Sequence, residues 1–375
     1  MRKSDTEKGF ILRCGKNKKA FSIYYGYHEK ISWRWYNQEK TIDPKGVVSA
    51  DILDTALQLY FQPPCVFNMV PGHEGGRNLV FVVEKDDNRF VLRLSSVEDR
   101  SEEDFLAELE FVHYLAQHGA PVADVIPSRN GKLLEVVNTS EKTVFVSLFE
   151  YAKGKLFYEN QYRYREGVPI EEYFYNAGKA LGTIHRLSKE YEPAHRRMDY
   201  SDKYNKEYID QFIPEKYEDL KKAIYRRLDM FSELPREKEN YGLVHFDYSD
   251  GNYHIDFSTG DITVYDFDNS LYCWYMYDLA NLWIYGEGWC RFIPKKEDKK
   301  AYWQHYFDTI LEGYRSETDV SEELLSKLPL FIDMVLIENI VDEFECCARE
   351  GEELDFEDIE DKAECLINDL PYQDL

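Results

Sequence analysis

No stretch of this 375-residue chain approaches the roughly 18 consecutive apolar residues that a membrane span needs, and Met1-Arg2-Lys3-Ser4-Asp5 opens no secretory signal. Neither a membrane protein nor an exported one is expected. Cysteine is sparse and unpatterned: Cys14, Cys65, Cys273, Cys290, Cys346, Cys347 and Cys365 are odd in number and without C-x-x-C spacing. That argues against a disulfide scaffold and a zinc site, and fits free thiols in a reducing cytoplasm. The sequon Asn138-Thr139-Ser140 then carries no meaning. Positive charge is short, with 46 Lys and Arg against 71 Asp and Glu and a formal net charge of -25. Such a surface repels phosphate backbones, so nucleic acid is not the expected partner. Internal repeats, low-complexity tracts, a G-x-x-x-x-G-K-[S/T] loop and a clean G-x-G-x-x-G are also missing.

What is present is an ordinary globular composition, 43% hydrophobic and 31% charged, long enough for two or three domains with real cores. The charge is uneven. Residues 1–46 hold eleven Lys and Arg against five acids, and Gly351 to Leu375 hold ten acids against Lys362 alone. The plain reading is two solvated ends; the functional one is a field that draws in cationic substrates. The aromatics among residues 1–46 (Phe21, Tyr24, Tyr25, Tyr27, Trp33, Trp35, Tyr36) read as a hairpin or arm on the main body rather than a surface for single strands.

The most informative stretch is Tyr241 to Asp268. It reads as strand, polar loop, short strand, a turn at Ser258-Thr259-Gly260-Asp261, and strand. Asp247, Asn252 and Asp266 stand at neighbouring strand ends, a converging set of hard oxygens of the kind Mg²⁺ prefers. His245-Phe246-Asp247 with Asn252, followed by Asp266-Phe267-Asp268, matches the H-x-D-x-x-x-x-N and D-F-G pair of phosphoryl-transfer enzymes.

Upstream, a helix from Ser49 to Tyr60 precedes Pro63-Pro64, and Val70 to Asn78 is a glycine-rich entry to a hairpin turned at Asp86-Asp87-Asn88. Glycines there let backbone N–H groups approach a phosphate. Alternation sets Arg93 mid-strand among apolar residues, where it needs an anionic partner. Ser101 to Asp104 resembles a capping box for a helix with the stripe Phe105, Leu109, Val112 and Leu115, and Glu108 on that helix is the partner to hand. Val122 to Val137 reads as strands about Arg129 to Lys132. Thr143 to Phe149 is a strand running into Glu150-Tyr151-Ala152-Lys153-Gly154, a linker whose backbone suits an adenine edge. Beyond it the chain turns helical: Phe174, Ala177, Leu181, Ile184 and Leu187 form one face with small Gly178 and Gly182, and His185 reads as a buried, satisfied residue. Amphipathic helices are expected in Tyr204 to Leu234 and from Leu324 to Cys347.

With these residues in view, the chain resembles the aminoglycoside phosphotransferase and choline kinase group, over roughly residues 50–350. The resemblance is specific at Val244 to Asn252, Val264 to Asp268 and Tyr277-Asp278-Leu279-Ala280. It implies an α+β, two-lobed protein-kinase-like fold: residues 1–46 as an extension, 47–150 as a β-rich nucleotide-binding lobe, and 151–375 as a helical catalytic lobe with an acidic tail. It further implies transfer of the γ-phosphate of ATP, with Mg²⁺, to a hydroxyl of a small molecule such as an amine, sugar or aminoglycoside-like acceptor. The alternatives are a serine/threonine kinase of the stress-response type, or a homoserine- or choline-type kinase. Carried over by motif, Asp247 is the catalytic base, Asn252 and Asp266 hold the metal, and Arg93, oriented by Glu108, meets the phosphates. Gly75, Gly76 and Asn78 cover those phosphates, Glu150, Tyr151 and Ala152 line the adenine, and His245 and Asp278 support the loop. Two residues depart from the pattern: Arg93 stands for the usual Lys, and Asp268 replaces a glycine and is open to a metal or substrate role. No A-P-E-like element follows, which speaks against a regulated protein kinase. Of the aromatics Tyr272, Trp274, Tyr275, Tyr277, Trp283, Tyr285 and Trp289, most are expected in the core and two or three at a pocket. The regions that choose the acceptor, Tyr158 to Val168 and Trp283 to Ile293, carry no readable motif.

Overall fold

The computed structural model describes residues 50–62, 65–70, 78–98, 100–138, 143–291 and 293–372. The expectations for residues 1–46 and for Gly75 and Gly76 lie outside them. Helix α1 (Ala50–Gln58) precedes a five-stranded antiparallel sheet of β1 (Val66–Met69), β2 (Asn78–Lys85), β3 (Asn88–Ser96), β4 (Glu135–Asn138) and β5 (Thr143–Glu150), in the order β1-β2-β3-β5-β4. Asp86 and Asp87 both take positive φ at the β2–β3 turn, the mirror-image turn that suits the twist of a two-residue hairpin. Ile52, Leu53, Ala56 and Leu57 of α1 close over one face of the sheet, against Phe81, Leu92, Leu94, Val146 and Leu148.

Helix α2 (Glu102–Gln117) starts on the expected capping box, with the Ser101 hydroxyl accepting from the Asp104 N–H. Its stripe of Phe105, Leu109, Phe111, Val112 and Leu115 packs into the larger core of the second half of the chain, not into the core between α1 and the sheet. Between α2 and β4 the strands expected from Val122 to Val137 shrink to Glu135–Asn138. Val122 and Val125 make only single bridges, to Val264 and Phe149. The cause is local. Pro121 and Pro127 remove ladder donors, and the Glu135 carboxylate gathers the Ser128 hydroxyl and the Asn130 amide (2.6 and 2.8 Å) into a tight turn.

The second half is built on α3 (Glu171–Ser188) and α8 (Lys296–Arg315), which cross closely. A Cβ at Gly178 would stand 1.9 Å from the Ile310 carbonyl oxygen, and one at Gly313 1.9 Å from that of Tyr175, so glycine at both crossing points sets the distance between the helices. Between them in sequence come α4 (Tyr200–Lys203), α5 (Lys206–Phe212), α6 (Glu218–Ser232), and the strands β6 (Tyr241–Val244), β7 (Tyr253–Ile255), β8 (Ile262–Val264) and β9 (Leu271–Trp274). The strands pair β6 with β9 and β7 with β8, both antiparallel, followed by α7 (Met276–Cys290). After α8 come α9 (Glu322–Leu325), α10 (Leu328–Glu350) and α11 (Glu360–Asn368). The acidic C-terminal region is therefore not simply a solvated end. Ile359, Ala363, Cys365 and Leu366 are buried in the main core, and α11 packs on α6 and α10 with its acids outward. Among the described residues no helix is long and apolar enough to cross a membrane.

Candidate active site

The loop after β6 is shaped by one buried carboxylate. Asp278, in the first turn of α7, is fully buried; its Oδ2 accepts the His245 N–H and its Oδ1 the Phe246 N–H, each at 3.0 Å. His185 on α3 completes the brace, with Nε2 3.0 Å from Asp278 Oδ2 and Nδ1 3.0 Å from the Tyr314 hydroxyl. Burial pushes the His185 pKa down, so the ring is neutral, buried and satisfied, as its setting on α3 suggests. Phe246 is left-handed (φ 71°), a costly state for an aromatic residue, held by the Asp278 bond and by stacking on Tyr277 (4.2 Å, 9° between planes). Asp247 follows directly, half-buried.

Asn252 closes the loop: its Nδ2 donates to the Asp247 carbonyl at 2.7 Å, which leaves its Oδ1 available as a ligand oxygen. Asp266 follows β8 in a second left-handed residue (φ 67°). The His245 ring joins the two segments, with Nε2 3.1 Å from the Tyr265 carbonyl oxygen. Burial and the neighbouring Asp268 carboxylate raise Asp266 to about 7, against the pull of Arg93. Asp247 is also raised, chiefly by desolvation, with Asp268 and Asp278 adding to it. Among the described residues no three His, Cys, Asp or Glu side chains form a closed metal cage. An amide oxygen and one or two carboxylates are enough for Mg²⁺, which keeps water and phosphate ligands.

Arg93 and Glu108 meet as a bidentate pair, NH1 to Oε1 at 2.7 Å and NH2 to Oε2 at 3.1 Å, with side chains 6% and 1% exposed. The Arg93 Nε is buried without a partner, a spare donor beside Asp266 that fits an added anionic group. Asn78, Ser95 and Asp268 form a chain on the same side. The Ser95 hydroxyl donates to Asn78 Oδ1 (2.6 Å), and Asn78 Nδ2 donates to Asp268 Oδ2 (3.2 Å).

In the linker, Glu150 ends β5 and Tyr151 lies under the Arg89 guanidinium at 3.6 Å. The Ala152 carbonyl accepts from His254 Nδ1 (2.8 Å), which fixes the linker against β7 and uses one of that oxygen's two lone pairs. Gly154 (φ 101°) lies against β7, where a Cβ would fall 2.2 Å from the Ile255 oxygen. His254, Arg100 and Arg197 escaped the sequence reading; none lies in a motif, and only the fold shows what they touch.

Near Asp247, the hollow between α3, α7 and α8 is lined by Tyr173, Phe174, Asp250, Tyr285, Trp289 and Tyr306. Tyr285 is 40% exposed while Tyr272 is half-buried and Trp274, Tyr275, Tyr277 and Trp283 are core, so the aromatics divide as expected. Glu338 on α10 is pushed up to about 8 by burial and by Asp342, and Asp247 contributes to that shift.

Comparison with known proteins agrees with this geometry. The family model described as the phosphotransferase enzyme family matches residues 69–316. An amicoumacin kinase of Bacillus subtilis (strain 168) is 29% identical over 259 residues, covering 68% of this chain and 74% of the relative. Among solved structures, an amicoumacin kinase in complex with AMP-PNP, Ca²⁺ and Ami superposes with a TM-score of 0.72 at 22% identity, covering 86% of this chain and 94% of the other. A microcompartment-associated aminopropanol kinase follows with a TM-score of 0.63 at 18% identity, over 86% and 98%. The fold is thus the two-lobed kinase-like one. With well over half its length on the family model, the chain belongs to the phosphotransferase enzyme family, and it is a kinase.

Proposed function

We propose that the protein moves the γ-phosphate of ATP to a hydroxyl of a small, amine-bearing acceptor, with Mg²⁺ bound by Asn252 and Asp266. The observation that carries this is the Asp278 clasp on the residues before Asp247, with Asn252 bonded to Asp247 and with Asp247 and the Arg93–Glu108 pair both close enough to Asp266 to shift it. The metal, when bound, neutralises phosphate charge. Arg93, held by Glu108, presents its unpartnered Nε toward the phosphates. Asp247 accepts the acceptor hydroxyl's proton at a carboxylate oxygen and aligns the nucleophile, for which its raised pKa is favourable but not required. Replacing Asp266 with Ala is expected to shift the Mg²⁺ requirement for nucleotide binding to higher concentration. A metal titration that matches wild type removes Asp266 from the site.

The amine reading rests on Tyr285 and Glu338, which lie near Asp247, and on Asp250 and Trp289, which line the hollow with Tyr285, because ring faces and carboxylates both attract ammonium groups. The aminopropanol kinase is named for an amine-bearing alcohol. Glu338 gives a two-sided test. Its folded pKa of about 8 stands above its ordinary 4.5, so the unfolded chain loses the proton first and stability falls as pH rises between those values. Glu338→Gln is therefore expected to raise the melting temperature at pH 8 and leave it unchanged near pH 4.5. If Glu338 faces the acceptor's ammonium, the same variant, assayed above pH 8 where the carboxylate is charged, raises the KM for amines about tenfold, the order of one charged hydrogen bond, and leaves the KM for ATP alone. A coupled ATPase assay over amino alcohols, amino sugars, hydroxy-amino acids and a generic protein acceptor decides the class; turnover only on the protein would overturn it.

A further inference from the structure

The residue that breaks the D-F-G pattern is built into the joint between the sheet and the rest of the molecule. Asp268 is 8% exposed, two residues beyond Asp266, with Phe267 between them anchored in the core. Its Oδ2 accepts from Asn78 Nδ2 at 3.2 Å and lies 3.5 Å from Arg100 NH2. Its carbonyl oxygen accepts from Arg100 NH1 and from Arg197 NH2 (2.6 Å). Arg197 also donates to the carbonyls of Ser270 (2.6 Å) and Asp104 (3.1 Å), the latter in the first turn of α2. A metal at this carboxylate would have to compete with a guanidinium and an amide already there.

The sheet side of the joint is equally specific. Asn78 and Ser95 are directly opposite in the β2–β3 register and hydrogen-bonded through their side chains. Ser95 lies two residues from Arg93, on the same face of β3. Two parallel steps result: Arg93 then Ser95 on the strand, Asp266 then Asp268 on the loop. The outer pair is tied through Asn78, and the inner pair consists of the residues assigned to the nucleotide. The sheet meets the larger core through Phe145 and Phe149 of β5, while at β2 and β3 the ties across the joint are polar, Asn78 to Asp268 and Arg93 to Glu108.

We propose that Asp268 is a positioning residue, which through Asn78 and Ser95 fixes Arg93 at its working distance from Asp266. The proposal rests on the assignment of Arg93 and Asp266 to nucleotide binding. It is tested by calorimetric titration of the full chain with Mg²⁺ and a non-hydrolysable ATP analogue, for wild type, Asn78→Ala, Asp268→Asn and the double variant. Asn78→Ala leaves Arg100 and Arg197 with their partners, so it reports even if changes at Asp268 impair folding. Each single variant is expected to bind the analogue about tenfold more weakly, the order of one hydrogen bond to a charged group. The double variant should bind no more weakly than Asp268→Asn. In turnover, the KM for ATP rises with the KM for the acceptor unchanged, a split that general destabilisation does not produce. Affinities within twofold of wild type, fully additive losses, or a displaced Mg²⁺ midpoint like that of Asp266→Ala overturn the proposal. Because nucleotide affinity is read without an acceptor, a wild type that binds the analogue but phosphorylates no amine refutes the acceptor class and leaves this test intact.

Discussion

Asp247→Asn is expected to lower kcat by at least about two orders of magnitude, the usual contribution of a general base, while nucleotide affinity and the fold persist. The carboxylate is half-buried, and the protein pays to keep it charged: desolvation, with Asp268 and Asp278 nearby, raises its pKa above the ordinary 3.8. A neutral amide removes that cost. The folded pKa is the higher one, so the wild type loses stability as pH climbs from 3.8 through the raised value, and the variant does not. Asp247→Asn should accordingly melt at or above the wild-type temperature at pH 8. Loss of turnover without loss of stability separates a residue placed for chemistry from one placed for structure. Near-normal turnover with a saturating acceptor would remove Asp247 from the reaction.

Much of this site was legible because phosphoryl transfer constrains residue type and spacing together. Asp247, Asn252 and Asp266 could be named from a strand-loop-strand pattern, and Arg93 with Glu108 from the cost of a mid-strand cation once that downstream motif was in view. The bidentate contact at 2.7 and 3.1 Å is what that cost demands. The capping box at Ser101 and the glycines of α3 were legible for a similar reason, since each solves a local problem with few chemical solutions. What remained hidden depends on long-range placement. Nothing local marks Arg197 as the bridge between Asp104, Asp268 and Ser270, because it bonds backbone carbonyls that any sequence supplies. His254 is equally silent, for it bonds the Ala152 carbonyl 102 positions away. The Val122 to Val137 stretch misled because β-branched residues serve burial as well as pairing, and Pro121 before it and Pro127 within it decided between the two. The acidic C-terminal region misled in the opposite way. Its charges dominate the composition, yet four small or apolar residues, Ile359, Ala363, Cys365 and Leu366, suffice to dock α11.

Asp278→Ala is expected to damage both stability and turnover, in contrast to Asp247→Asn. The carboxylate is fully buried and accepts two backbone N–H groups and the His185 ring. Removing it strands three buried polar groups, each costing about 1–3 kcal/mol, so a loss of about 3 kcal/mol or more is expected in a denaturant melt. Asn does not rescue it, since one amide oxygen cannot serve the His245 and Phe246 donors together while its NH₂ faces one of them. The left-handed Phe246 is retained only because the clasp and the Tyr277 ring hold it. Freed from the clasp, the loop relaxes and Asp247 loses its alignment with the acceptor hydroxyl, so kcat falls even at temperatures where the variant remains folded. Positional errors near 1 Å cost about a hundredfold in rate, which makes the fall comparable with that of Asp247→Asn. The two effects are separable by assaying well below the variant's own melting temperature. A variant that is destabilised yet retains wild-type kcat there would show that Asp278 holds the fold without setting the geometry of Asp247.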